Sequence, residues 1–214
     1  MSETEKLPFF TPMSVATEPK SAVTEVSETE LKRLQEEFEA AKNRLLEARR
    51  SQKPELVRDY ELLGTWSVKM KLSDMFGEKS ELIVVHNMGK RCTYCTLWAD
   101  GLNGFIAHLE NRAGFVLTSP DDPETQRAFA NDRGWKFRML STKGTTFTHD
   151  MGYEPEPGTY WPGFSVFRKD SDGKIYRTSK DIFGPGDLYC SVWHLFDLLP
   201  LGVNDWEPKY HYQA

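Results

Sequence analysis

Between Glu81 and Leu140 apolar runs of two different periods alternate, and that alternation leaves few folds open to the chain. Glu81-Leu82-Ile83-Val84-Val85-His86 is a short β-branched stretch of the kind that fits a strand buried on both faces. After it, Leu97, Trp98, Leu102, Phe105, Ile106 and Leu109 recur at helical spacing up to Gly114, with Gly101 and Gly104 as weak points. Phe115 to Thr118 reads as a second strand. Pro123 to Arg133 reads as a helix opened by Asp122-Pro123 and ended by Gly134, and Lys136 to Leu140 as a third strand. A βαβαβ alternation implies parallel strands covered by helices, an α/β central sheet whose loops at the strand C-termini are available for function.

The first of those loops carries Cys92-Thr93-Tyr94-Cys95, so the two thiols fall at the N-terminus of the following helix. At i and i+3 on a first turn they are near enough to close a disulfide, and the unpaired backbone N–H groups and helix dipole there favour a thiolate. Cys92, nearer the helix start and following Lys90 and Arg91, is expected to attack, and Cys95 to resolve. Cys95 falls one turn later, where Leu97, Trp98 and the preceding strand shield it.

The remaining chain is organised around this unit. Residues 1–27 mix Ser, Thr, Glu and Pro with a lone Phe9-Phe10 and read as a flexible arm. Residues 28–53 hold an amphipathic helix, with Leu31, Leu34, Phe38, Ala41, Leu45 and Ala48 on one stripe and Pro54 as its stop. That stripe has two uses: a homodimer seam, or docking on its own domain. Docking is favoured because three heptads make a short coiled coil, and the oligomeric state stays open. The domain proper spans 54–200. Within it Thr65 to Lys71 alternates as an edge strand does, Leu72 to Phe76 is a short helical turn closed by Gly77, and 153–162 is a loop. A hairpin follows, with strands at Phe164–Arg168 and Ile175–Arg177, and a final helix spans Asp187 to Leu199. The tail, residues 201–214, carries Trp206, Tyr210 and Tyr212 and is expected to pack back on the domain.

Composition excludes several classes. A net charge of −5, from 27 basic and 32 acidic side chains, provides no phosphate-neutralising face, so nucleic acid is not expected as a partner. No run reaches the ~18 apolar residues of a membrane span, and the first twenty residues form no apolar signal core, so the expectation is a cytoplasmic protein without membrane contact. Three cysteines are an odd number and do not make a secreted disulfide framework.

The stretch Asn87-Met88-Gly89-Lys90-Arg91, then Cys92-Thr93-Tyr94-Cys95 and Thr96-Leu97-Trp98-Ala99-Asp100-Gly101, resembles the thioredoxin-like superfamily. More closely, with Ser119-Pro120-Asp121-Asp122-Pro123, Arg127-Ala128-Phe129-Ala130 and Val192 to Pro200, it is similar to a family of unknown function described as predicted dithiol-disulfide oxidoreductases. The likeness runs from about residue 28 to the C-terminus. It implies a thioredoxin-like fold with a peroxiredoxin-like extended layout and a thiol or disulfide partner, protein or small molecule, with no cofactor. It also makes Pro162, between Trp161 and the strand Gly163-Phe164-Ser165-Val166-Phe167, the counterpart of the cis-proline beside the cysteine pair. The Trp-Cys-Gly-Pro-Cys sequence of thioredoxins is absent. Peroxiredoxins place Thr or Ser three residues before their peroxidatic cysteine, where this chain has Gly89, which makes peroxide reduction a minor alternative.

His86, six residues before Cys92, stands where thioredoxins often carry a buried acid that relays protons to the resolving cysteine. It reads either as such a relay near neutral pH or as a core histidine satisfied by backbone. A zinc site from Cys92, Cys95, Cys190 and His194 is a competing reading, since Cys190 and His194 stand four apart on the expected last helix. Against it, Cys190 reads more simply as a small buried hydrophobe and His194 as a packing residue. A third reading is a redox-silent interaction scaffold.

Overall fold

The computed structural model describes residues 26–213. Eight strands among them form one sheet: β1 (Glu55–Val57), β2 (Glu61–Leu63), β3 (Lys69–Lys71), β4 (Glu81–His86), β5 (Gly114–Ser119), β6 (Met139–Ser141), β7 (Gly163–Lys169) and β8 (Ile175–Ile182), in the order β1-β8-β7-β4-β5-β6-β2-β3. The expected βαβαβ unit is its centre. Strands β4, β5 and β6 run parallel, joined by α2 (Thr93–Arg112) and α3 (Pro123–Arg133). The β7–β8 hairpin extends the sheet antiparallel to β4, with Gly163 opposite His86.

Alternation along β4 and β5 sorts side chains between two cores. Leu82, Val84 and Val116 join Phe147, Tyr153 and Phe167 on one face. Val85, Phe115 and Leu117 join Trp98, Ile106, Trp135 and Trp193 on the other, which α2, α3 and α5 (Ser191–Phe196) cover. The first face is closed by the 3₁₀ turn Leu72–Phe76 and by α4 (Phe147–Asp150).

Several local readings shift. The last helix spans only Ser191–Phe196, and Cys190 is its N-cap residue, outside the helical span. Its start is delayed by the Asp187 carboxylate, which accepts the backbone N–H groups of Tyr189 and Cys190 at 2.7 and 3.0 Å and fixes a turn there. Thr65–Ser67 is a 3₁₀ turn with Trp66 at φ 63°, and only Lys69–Lys71 is the edge strand. The third parallel strand begins at Met139, although the Leu117 N–H already reaches the Arg138 carbonyl at 2.9 Å.

Helix α1 (Glu28–Arg50) forms as its periodicity requires, capped by the Ser27 hydroxyl on the Glu30 N–H at 3.1 Å. Its expected docking on the domain does not occur, since no residue of α1 is buried. Both faces of the sheet are already covered, so nothing is left for the apolar stripe to cover. Arg49 ties the helix to the body through Asp181 and the Tyr189 hydroxyl. The tail does return, with Trp206 edge-on to Trp193 and Phe196 and Tyr210 edge-on to Phe129, while Tyr212 stays exposed. The arm expected over 1–27 lies outside the described residues except for Val26 and Ser27. No helix among the described residues is long and apolar enough to cross a membrane.

Candidate active site

Cys92 is the N-cap residue of α2, in extended conformation at φ −98° and ψ 106°. In place of the usual hydroxyl or carboxylate, its Sγ accepts the Cys95 N–H at 3.1 Å, while its carbonyl takes the Thr96 N–H and hydroxyl at 3.1 and 3.0 Å. The first turn of α2 therefore aims a donor at this sulfur. The Cys92 thiol is held below its ordinary range, first by the Cys95 thiol donating to it and then by the Cys95 and Tyr94 backbone N–H groups, against the opposing effect of burial. Lys90 and Arg91, expected to supply positive charge, are not among these causes. Cys95 is 2% exposed and pushed well above its ordinary value by burial and by the neighbouring Cys92 sulfur. The pair thus divides into a half-buried thiol held low and a buried thiol held high, and all three cysteines are free thiols.

The loop before Cys92 is braced from three sides. The Asn87 side chain accepts the Gly89 N–H at 2.8 Å and donates to the Cys95 carbonyl at 3.3 Å. Asp121, from the loop between β5 and α3, accepts the Lys90 N–H at 2.7 Å. Tyr210, from the tail, donates its hydroxyl to the Lys90 carbonyl at 2.8 Å, while its own carbonyl accepts from the Arg133 guanidinium at 2.5 Å. The hydrogen bond to Lys90 places Tyr210 at the site, and its hydroxyl is raised above its ordinary value by burial and then by Cys92, Cys95 and Asp121. At Gly89 φ is +96°, and a Cβ there would meet the Asp121 carboxylate at 2.8 Å. Where peroxiredoxins hold a hydroxyl residue, this chain sets a glycine against a carboxylate.

Sequence reasoning missed Asn87, Asp121 and Tyr210 as parts of the site. Asn87 and Asp121 stand in stretches singled out only for resemblance, and Tyr210 in a tail read only for packing. Nothing local to Tyr210 signals that it returns to the loop before Cys92.

His86 and Pro162 fall out of their expected roles. His86 shares a face with Leu82 and Val84, so it points away from α2 into the opposite core. There it is 2% exposed and stacked on Tyr153 at 3.9 Å between centroids, with Nε2 3.0 Å from the Ser165 hydroxyl and Nδ1 unpartnered. Burial, aided by Arg177, lowers it to about 3, so it is neutral near pH 7, and its ring faces Phe147, Tyr153 and Ser165 and not the Cys95 thiol. The core-histidine reading fits this environment, with a hydroxyl in place of backbone as its partner. The Trp161–Pro162 peptide is trans, as are all peptide bonds among the described residues, in line with the trans preference of about 0.5–1 kcal/mol at X–Pro bonds. Pro162 still precedes β7, and its carbonyl accepts the Phe183 N–H at 2.9 Å. The four residues of the zinc reading do not converge: among the described residues no group of three or more His, Cys, Asp or Glu side chains is placed to hold a metal. Cys190 is instead buried in the aromatic core with Trp98 and Trp193.

A parallel β4-β5-β6 core with a hairpin on its β4 edge, and a cysteine pair opening α2, define a thioredoxin-like α/β protein with a peroxiredoxin-like layout. Reduced Prx3 of Vibrio vulnificus in complex with H2O2 is similar with a TM-score of 0.51 at 13% identity, covering 64% of this chain and 90% of that one. Peroxidoxin BcpB of Mycobacterium tuberculosis is similar with a TM-score of 0.49 at 22% identity, over 61% and 85%. The chain belongs to the family described as bacterial protein of unknown function (DUF899), whose model matches residues 17–213. No curated protein matches it.

Proposed function

We propose that the protein is a dithiol-disulfide oxidoreductase, with Cys92 attacking and Cys95 resolving, acting in a reducing, cytoplasmic setting on a protein or small-molecule thiol or disulfide. The observation that carries this reading is the asymmetry of the pair: a thiol lowered at a helix N-cap, one turn ahead of a buried thiol raised well above its ordinary value. In the reductive direction the Cys92 thiolate attacks one sulfur of a partner disulfide, forming a mixed disulfide and expelling the other partner sulfur as thiolate, which takes up a proton. Cys95 then gives up its proton and attacks the Cys92 sulfur, releasing the second partner thiol. The protein dithiol ends as a Cys92–Cys95 disulfide and the partner as two thiols, so two electrons pass between sulfurs and no cofactor is required. The reverse sequence oxidises a partner dithiol. Gly89 against Asp121 weighs against peroxide reduction, because the hydroxyl of peroxiredoxins is missing and a carboxylate stands beside its place.

Trapping tests the reading. Cys95→Ser should accumulate a mixed disulfide through Cys92 when exposed to disulfide-containing extract, and Cys92→Ser should accumulate almost none. Mild oxidation of the unmodified chain should link Cys92 to Cys95 and leave Cys190 reduced. Equal trapping by both variants, or none by Cys95→Ser despite a proven Cys92–Cys95 disulfide, would favour a redox-silent scaffold.

A further inference from the structure

The stripe of α1 stands exposed along its whole length. Leu31, Leu34, Phe38 and Leu45 are 57%, 46%, 53% and 43% exposed, and Ala41 and Ala48 between them are exposed as well. Their spacing, alternately three and four residues, is that of the a and d positions of a heptad, with Glu30, Glu37 and Arg44 at g and Gln35, Lys42 and Arg49 at e. Such a stripe calls for a partner helix of the same period.

We infer that α1 pairs with α1 of a second copy of this chain as an antiparallel two-stranded coiled coil. Side-chain size and charge both select this orientation. Run antiparallel, the stripe sets Phe38 opposite Ala41, Leu31 opposite Ala48 and Leu34 opposite Leu45, each pair occurring twice, so bulky residues face small or equal ones in every layer. Run parallel, it would set Phe38 against Phe38 and Ala41 against Ala41, crowding one layer and leaving the next empty. The flanking charges agree. In the antiparallel register Glu37 of each helix lies across from Arg44 of the other, and Lys42 across from Gln35, so no like charges meet. In the parallel register Glu37 would gain Lys42, but Arg44 would face Arg49 of the other helix, a like-charge contact repeated on both sides of the seam. Arg44 makes no ion pair among the described residues and is free for this use, whereas Arg49 is already held by Asp181. The antiparallel arrangement also places the two domains at opposite ends of a helix pair about 35 Å long, with the two-fold axis at its centre.

Sedimentation of the full chain under reducing conditions tests this. A concentration-dependent monomer–dimer equilibrium is expected. Leu45→Glu should leave a monomer at every concentration, with the unfolding of the domain unchanged because Leu45 is exposed and belongs to neither core. Arg44→Glu separates the orientations by sign. It sets Glu37 against a glutamate in the antiparallel pair and should weaken the dimer by about tenfold, whereas in a parallel pair it would meet Arg49 and tighten it. A wild-type chain that stays monomeric throughout, a Leu45→Glu variant that still dimerises, or a tighter Arg44→Glu dimer would each overturn the inference.

Discussion

At the level of single residues, Cys92 and His86 each give the molecule a response to pH that can be read separately. Alkylation of a thiol needs its thiolate, so its rate rises as pH passes the thiol's pKa. Cys92, held low, should therefore react with iodoacetamide with a midpoint below the ~8.5 of a free cysteine, while Cys95 and Cys190, both raised by burial, should react only on unfolding. Mass-spectrometric alkylation rates across roughly pH 5–10 check this, and a midpoint at or above the free value would contradict the assigned geometry. His86 acts on stability. Its folded pKa of about 3 lies below the ordinary 6.5, so below that ordinary value the unfolded chain takes up a proton that the folded chain refuses. Stability from this group is fully present above pH ~6.5 and is lost as pH falls toward about 3, by an amount on the order of 4–5 kcal/mol at the limit. Replacing His86 with Gln should flatten the urea-derived stability profile over that window, and a variant profile as steep as the parent's would assign the pH dependence to other groups.

At the level of elements, the helix N-termini and one strand contact decide where the site sits. Asp122 caps α3 through the Thr125 N–H at 2.9 Å, and α3 carries Arg133, which in turn holds Tyr210 over the cysteine loop. Gly163 is more demanding. A Cβ there would run into the Asp181 carbonyl and meet Tyr153 Cε1 at 2.5 Å, directly opposite His86 in the ladder. Neither the backbone carbonyl nor the buried ring can give way, so Gly163→Ala should lower the unfolding free energy by about 2–4 kcal/mol, read from urea denaturation.

For the molecule as a whole, the C-terminal tail is the part that joins distant segments. Trp206 bridges Trp193 and Phe196, and Tyr210 links Phe129, Arg133 and Lys90, so the tail connects α5, α3 and the loop before Cys92. Tyr210→Phe removes the hydroxyl that the Lys90 carbonyl accepts. Thermal unfolding should register a loss of about 0.5–1.5 kcal/mol, and the Cys92 alkylation midpoint should rise toward the free value as the loop loosens. If stability falls while the midpoint stays in place, the tail serves packing alone.

Local and periodic features were legible from the chain alone. The β-branched run Glu81–His86, the stripe of α1 and the Asp122-Pro123 start of α3 each specify an element through contacts within a few residues, and Cys92-Thr93-Tyr94-Cys95 placed both thiols on one helical turn. Which face a residue turns to, and what else reaches it, was settled only by assembly of the sheet. His86 lies on the strand leading to the cysteines, yet the pleat turns it to the other core. The Asp187 turn overrode helical periodicity before α5. Asp121 and Tyr210 come to Lys90 from other elements, and no pattern short of the assembled sheet encodes that meeting. The stripe of α1 was legible as a stripe, but its freedom from the domain was not, because that follows from the other elements having already covered both faces of the sheet.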